Sequence, residues 1–125
     1  MKAGDAFYIR DRSVDTHLWV VISDPQRDPG RVIMVSVTTF EDYKEDVCPI
    51  NAGDHPRVTH RSCVSYHEAR MTILERLIAL RDGNHLSIQA PVSGELLTRI
   101  REGVNRSRTI KYKYVEILLE QEVID

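Results

Sequence analysis

Two side chains suited to proton transfer and phosphate contact come into register if the second and third extended segments of the chain pair. His17-Leu-Trp-Val-Val-Ile-Ser23 and the run from Arg31 to Thr39 are separated by the breaker-rich stretch Asp24-Pro-Gln-Arg-Asp-Pro-Gly30. A hairpin closed over residues 24 to 31 sets Ser23 opposite Val32, and counting outward sets Trp19 opposite Ser36 and His17 opposite Thr38. Directly opposed residues hold their Cβ atoms about 4.5–5.5 Å apart, which puts an imidazole beside a hydroxyl at the mouth of the sheet. Histidine changes protonation near neutrality and can act as acid or base, while the hydroxyl can donate to an oxyanion. In the same register Leu18, Val20 and Ile22 oppose Val37, Val35 and Ile33, an apolar core face. The other face, with His17, Trp19, Val21 and Ser23 against Thr38, Ser36, Met34 and Val32, reads as mixed and polar toward one end.

Other constellations carry less chemistry. His55, His60 and His67 cluster with Asp54 and Glu68, but a helical pair at four-residue spacing and a Cys/His knot are both missing, so no metal site is expected. Cys48 and Cys63 lack Cys-x-x-Cys spacing and read as two reduced, partly buried thiols. Ser62 or Ser65 can be combined on paper with acid and histidine partners, yet no Gly-x-Ser-x-Gly turn presents a nucleophile, and phosphate-cradling Gly-rich loops are absent. The turn Gly53-Asp-His-Pro56 either reverses the chain or has a further role.

The elements that must position these groups follow from pattern. Strands are expected at Ala6–Arg10, His17–Ser23, Arg31–Thr39, Val47–Ile50 and Ser62–Arg70, joined as an antiparallel meander with a charged loop at 41–46. The period then changes. Thr72-Ile-Leu-Glu75 has capping-box spacing, Ile73, Leu74, Leu77 and Ile78 share a helical face, and Gly83 marks a stop. Pro91 and a capping Ser93 open a second helix with Leu96, Leu97, Ile100 and Val104 inward, and a third runs from Thr109 with Ile110, Tyr114, Ile117 and Leu118 on one stripe. The fold class expected is α+β in a single domain over 1–125, with strands mainly in 1–71 and helices mainly in 72–125.

The chain of 125 residues carries a formal charge of −2, divided unevenly. Residues 57 to 125 hold eleven Lys and Arg against nine acids, and Arg99, Arg101, Arg106, Arg108, Lys111 and Lys113 crowd one stretch that either meets phosphate or forms a solvated helix face. No apolar run approaches a signal core or membrane span, so a cytoplasmic protein with no membrane partner is expected.

Taken in order, Gly4-Asp5-Ala-Phe-Tyr-Ile-Arg10, His17-Leu-Trp-Val-Val-Ile-Ser23 and Val32-Ile-Met-Val-Ser-Val-Thr-Thr39 resemble the opening of the PemK/MazF toxins. The likeness covers the first third of the chain well and residues 40 to 70 loosely. It implies a small SH3-like antiparallel β-barrel of about five to seven strands with a short helix after the sheet and C-terminal helices. It also implies a homodimer, metal-independent cleavage of single-stranded RNA without cofactors, and a cognate antitoxin as partner. The same fold includes the non-catalytic CcdB gyrase poisons, so a binding module on this barrel is the alternative. By position Thr38 matches the family's catalytic threonine and His17 stands where most members have arginine. Ser65-Tyr-His67-Glu-Ala-Arg70 falls loosely on an acid-base segment. The roles implied are His17 as general acid or base, Thr38 as donor to the phosphate, His67 as proton-transfer partner and Arg70 as charge stabiliser. Arg10, Arg12, Thr39 and Ser65 are the RNA contacts expected. Tyr8, Trp19 and Tyr66 can stack bases, although core packing is the commoner fate of such rings.

Overall fold

The structure, a computed structural model, describes residues 1–10 and 17–125. Six strands, β1 (Ala6–Ile9), β2 (Leu18–Val21), β3 (Val32–Thr39), β4 (Pro49–Ile50), β5 (Ser62–Thr72) and β6 (Leu86–Gln89), form one antiparallel sheet in the order β4-β5-β3-β2-β1-β6. The sheet curls into a half-barrel, and α1 (Leu74–Asp82), α2 (Gly94–Arg106) and α3 (Tyr112–Glu120) complete an α+β domain. Among the described residues no helix is long and apolar enough to cross a membrane.

The hairpin at the centre pairs Leu18 with Val37, Trp19 with Ser36, Val20 with Val35 and Val21 with Met34, the register that the apolar alternation dictates. Leu18, Val20, Ile33, Val35 and Val37 face the main core, where Leu96, Ile100 and Val104 of α2 and Tyr114, Ile117 and Leu118 of α3 cover them. The opposite face departs from expectation. Trp19, Val21, Val32 and Met34 are buried with Phe7, Leu77 and Leu86 in a second core, because α1 folds back over that side and gives their apolar surface a partner. On this face the end at Thr38 and His17 stays partly open to solvent, beside the exposed His67 and Arg70 of β5.

Two elements differ from the local signals. Thr72 does not cap α1: it is the last residue of β5, paired with Val32, and the ladder outweighs a single capping bond. The helix instead starts after Ile73, which offers no side-chain cap, and Leu74 N–H donates to Pro29 O at 2.8 Å. Strand β6 lies in the segment between Gly83 and Pro91, where the sequence shows too short an alternation to stand out. Its pairing with β1, Ala6 to Gln89 and Ile9 to Leu86, is what defines it. Helix α1 ends in a Schellman turn whose left-handed residue is Asn84 (φ 62°), with His85 N–H on Leu80 O at 2.8 Å.

The edges of the half-barrel are joined by the turn after β4. His55 is 2% exposed, its Nε2–H donates to Ala90 O at 2.6 Å and its Nδ1 accepts from Arg57 N–H at 3.0 Å. Asp54 anchors the same turn to Arg99 of α2 at 3.0 Å. The Gly53-Asp-His-Pro56 turn therefore latches the β4 side of the sheet to the end of β6, beyond reversing the chain.

Gly103 sits inside α2 where the helix crosses β5. A Cβ there would overlap Tyr66 Oη and stand 2.9 Å from Cζ and 3.2 Å from the Cys48 Cβ. Tyr66 is 1% exposed and donates to Ile100 O at 2.7 Å, so the ring has nowhere to move. Gly103→Ala is expected to lose about 1–3 kcal/mol in urea unfolding despite the better helix propensity of alanine, through overpacking. Helix α3 closes on a left-handed Glu122 (φ 59°), whose pair with Arg27 at 3.7 Å is largely exposed and worth little. Glu122→Gly removes the strain of that backbone and is expected to raise stability by about 0.5–1 kcal/mol, read as a higher Tm.

Candidate functional site

Thr38, the second-last residue of β3, and His17, the residue before β2, flank the Leu18–Val37 pair on the same side. Both border two cavities that meet at this edge. One, of about 540 Å³, is reached from the face that also carries Ser65 and His67, with Tyr43, Lys44 and Glu45 on its rim. The other, a groove of about 350 Å³, opens on the main-core side, with Thr39, Arg57, His60 and Ser62 around it.

The position of His67 comes from an irregularity in β5. Ser36 pairs with Ser65 and Met34 with Arg70, so five steps along β5 match two along β3. The extra length bulges outward and exposes His67 and Glu68, while Tyr66 and Ala69 on either side stay in the core. His67 Nδ1 lies 3.3 Å from Ser65 Oγ, and Nε2 lies 3.4 Å from Glu68 Oε1. An imidazole between a hydroxyl and a carboxylate has both nitrogens oriented, the arrangement that fixes a proton-transfer group in one pose.

A cation absent from the sequence reading occupies the centre. Lys44 Nζ donates to Thr38 Oγ1 and to Thr39 O, both at 2.9 Å. Its loop, 41–46, is clamped by the neighbouring Glu45, which accepts from Ser107 Oγ and Thr109 Oγ1 at 2.7 Å each and from Arg108 N–H at 2.8 Å. Partial burial works to raise the Glu45 pKa, but these three donors outweigh it and hold the carboxyl below its ordinary value. The only local hint of this role is a charged run, which most often marks a solvated loop; the partners that make it structural lie more than sixty residues away.

The other expected residues are placed as follows. Thr39 Oγ1 is 2.8 Å from His60 Nε2 at the second groove. Arg70 shares the face of Thr38 and Ser65 but sits beyond the bulge, its guanidinium 4.8 Å from the centre of the Trp19 ring, and it lines neither cavity. Arg10 is exposed just after β1 and its N–H donates to His85 O at 2.8 Å. Arg12 lies outside the described residues. Tyr8 borders the second groove, whereas Trp19 and Tyr66 are buried. Three of the six cations of the basic C-terminal stretch are engaged internally: Arg99 binds Asp54, Arg101 Nε donates to Ile22 O at 2.8 Å and Arg106 to Val47 O at 3.0 Å, while Arg108, Lys111 and Lys113 are exposed. Cys48 and Cys63 are free and buried, and burial pushes both thiols up. His55, His60 and His67 are dispersed, and no group of three or more metal-ligating side chains occurs among the described residues.

No protein-family model matches the chain, and no curated protein does either. What the site can do must therefore come from its own geometry.

Because the folded pKa of Glu45 is depressed, its contribution to stability is complete above the ordinary value of 4.5 and is lost as pH falls through the folded value. Glu45→Gln is expected to melt below the wild type at pH 7, with the gap narrowing once the wild-type carboxylate protonates. Thermal unfolding followed by circular dichroism from pH 7 down to pH 3 checks both the sign and the window.

Proposed function

We propose that the chain is a metal-independent endoribonuclease acting on single-stranded RNA, built on an SH3-like barrel of the kind found in PemK/MazF toxins. The observation that carries this reading is the meeting of His17 and Thr38 at one edge where two cavities join. A base takes the ribose 2′-hydroxyl proton, the 2′-oxygen attacks phosphorus, the bond from phosphorus to the 5′-oxygen breaks, and an acid protonates that oxygen. The products are a 2′,3′-cyclic phosphate and a 5′-hydroxyl, and no further reactant is needed.

In this scheme His17 and His67, both lining the larger cavity, hold the two proton roles, and Thr38 donates to a non-bridging oxygen. Lys44, 2.9 Å from Thr38, takes the charge-stabilising role that the resemblance suggested for Arg70, whose guanidinium is engaged over Trp19. A homodimer held in check by an antitoxin protein belongs to the same proposal.

The purified protein is expected to cleave a fluorogenic single-stranded RNA in excess chelator. His17→Ala should lower the rate by about 10²–10⁴ and Lys44→Ala by about 10², with unchanged circular dichroism. Absence of chelator-resistant cleavage, or full activity in His17→Ala, would remove the reading.

A further inference from the structure

The groove on the second side of His17 and Thr38 differs in charge from the first. The larger cavity carries two carboxylates, Glu45 and Glu68, among its lining. The groove of about 350 Å³ has none among the described residues. Arg57, His17 and His60 border it, together with the hydroxyls of Thr38, Thr39 and Ser62. In a chain whose formal charge is −2, an acid-free concavity lined by a guanidinium, two imidazoles and four hydroxyl-bearing side chains, Tyr8 included, has a local potential that favours an anion.

Its donors are held in place by structure already described. His60 Nε2 meets Thr39 Oγ1 at 2.8 Å and Nδ1 meets Thr59 Oγ1 at 3.3 Å. A hydroxyl can accept from a protonated ring nitrogen or donate to a bare one, so these contacts orient the ring in either charge state. Arg57 follows directly on the His55 latch, and its Nε donates to Gln89 Oε1 at 2.6 Å. One edge of the guanidinium is thereby fixed and the terminal nitrogens remain for a ligand. Both Arg57 and His60 are exposed, so their replacement leaves the core intact.

The order β5-β3-β2 places the end of β3, with Thr38 and Thr39, between His17 on the β2 side and His60 on the β5 side. Neighbouring strands lie about 4.8 Å apart, so backbones two strands apart are separated by roughly 10 Å, a gap that inward-reaching side chains narrow to the width of a phosphodiester. We propose that this groove is a phosphate-binding subsite for single-stranded RNA, in which Arg57 and the Thr39 hydroxyl oriented by His60 hold the phosphate next along the strand from the one at His17 and Thr38. It rests on the ribonuclease reading for its place in turnover, while the binding itself can be measured without it. The strand would lie across the sheet edge, from the Lys44 side to the Arg57 side.

The test uses the intact protein, NMR-observed histidine rings and two probes: inorganic phosphate and a 2′-O-methyl RNA tetranucleotide, which binds but cannot be cleaved. His60 and His17 signals are expected to move along one saturating curve with the tetranucleotide, with His85 unmoved. The double variant Arg57→Ala/His60→Asn is expected to bind it about tenfold more weakly and with a shallower salt dependence. If RNA is cleaved, the same variant should raise KM with little change in kcat, as loss of a flanking contact does. Equal affinity in the double variant, a response confined to His67, or no response from either probe would overturn the subsite. Tetranucleotide binding that depends on Arg57 and His60 without any RNA cleavage would uphold the subsite and end the ribonuclease reading. Cleavage with KM and affinity unchanged in the double variant would do the reverse.

Discussion

The phenol of Tyr66 is the contact through which most of this architecture is fixed. It sits in the middle of β5, is 1% exposed, and bonds the carbonyl of Ile100 at 2.7 Å while Gly103 leaves room for the ring against α2. Burial drives its ionisation far above the ordinary range, so the hydroxyl stays a donor at any pH the fold survives. A buried hydroxyl left without its acceptor would cost about 1–3 kcal/mol, which commits α2 to one rotation over the sheet. That commitment propagates. The end of α2 supplies Ser107 and the following Thr109 to Glu45, and the loop held by Glu45 delivers Lys44 to Thr38. Ser65 and His67, either side of Tyr66, are oriented by the same anchored strand.

The candidate site is consequently a junction of three segments of the chain, of which β5 is distant from the other two. The central hairpin contributes His17 and Thr38, the bulged β5 contributes Ser65 and His67, and the loop after β3 contributes Lys44. Ser65 is buried, while His17, Thr38, Lys44 and His67 stay partly or fully at the solvent edge. The charge is divided across the edge: carboxylates line the side of Lys44 and His67, and the side of Arg57 and His60 has none among the described residues. The arginines of α2, conspicuous as a basic run, are instead turned to the backbone carbonyls and to Asp54 beneath the helix.

Much of the fold was legible because its signals are local. The hairpin register follows from alternating Val and Ile on both strands and from a Pro- and Gly-rich connection of defined length, and the pairs from Leu18–Val37 to Val21–Met34 agree with it. Ser93 caps α2 through Leu96 N–H at 3.0 Å, as its position before an apolar stripe suggested. The departures occur where a distant partner overrides a local preference. Thr72 had the spacing of a helix cap but is claimed by Val32, and β6 is a strand because β1 offers it an edge. The face of Trp19 was read as half-polar because nothing local shows that α1 returns to cover it.

The sequence by itself determined the antiparallel hairpin, its register, which carries His17 and Thr38 toward the same edge, and the two amphipathic helices after residue 90, since each rests on a period of two or 3.6 residues or on a turn signal. The tertiary structure alone decided that Lys44 reaches Thr38, that the bulge turns His67 outward, that His55 latches the sheet edges, and that Arg57 and His60 share a groove with the hairpin. Apart from the six-residue reach from Lys44 to Thr38, which the clamp on Glu45 sets from more than sixty residues away, these are contacts between segments tens of residues apart. Side-chain partners at that separation are chosen by how whole elements pack, and no local pattern of residue types encodes that choice.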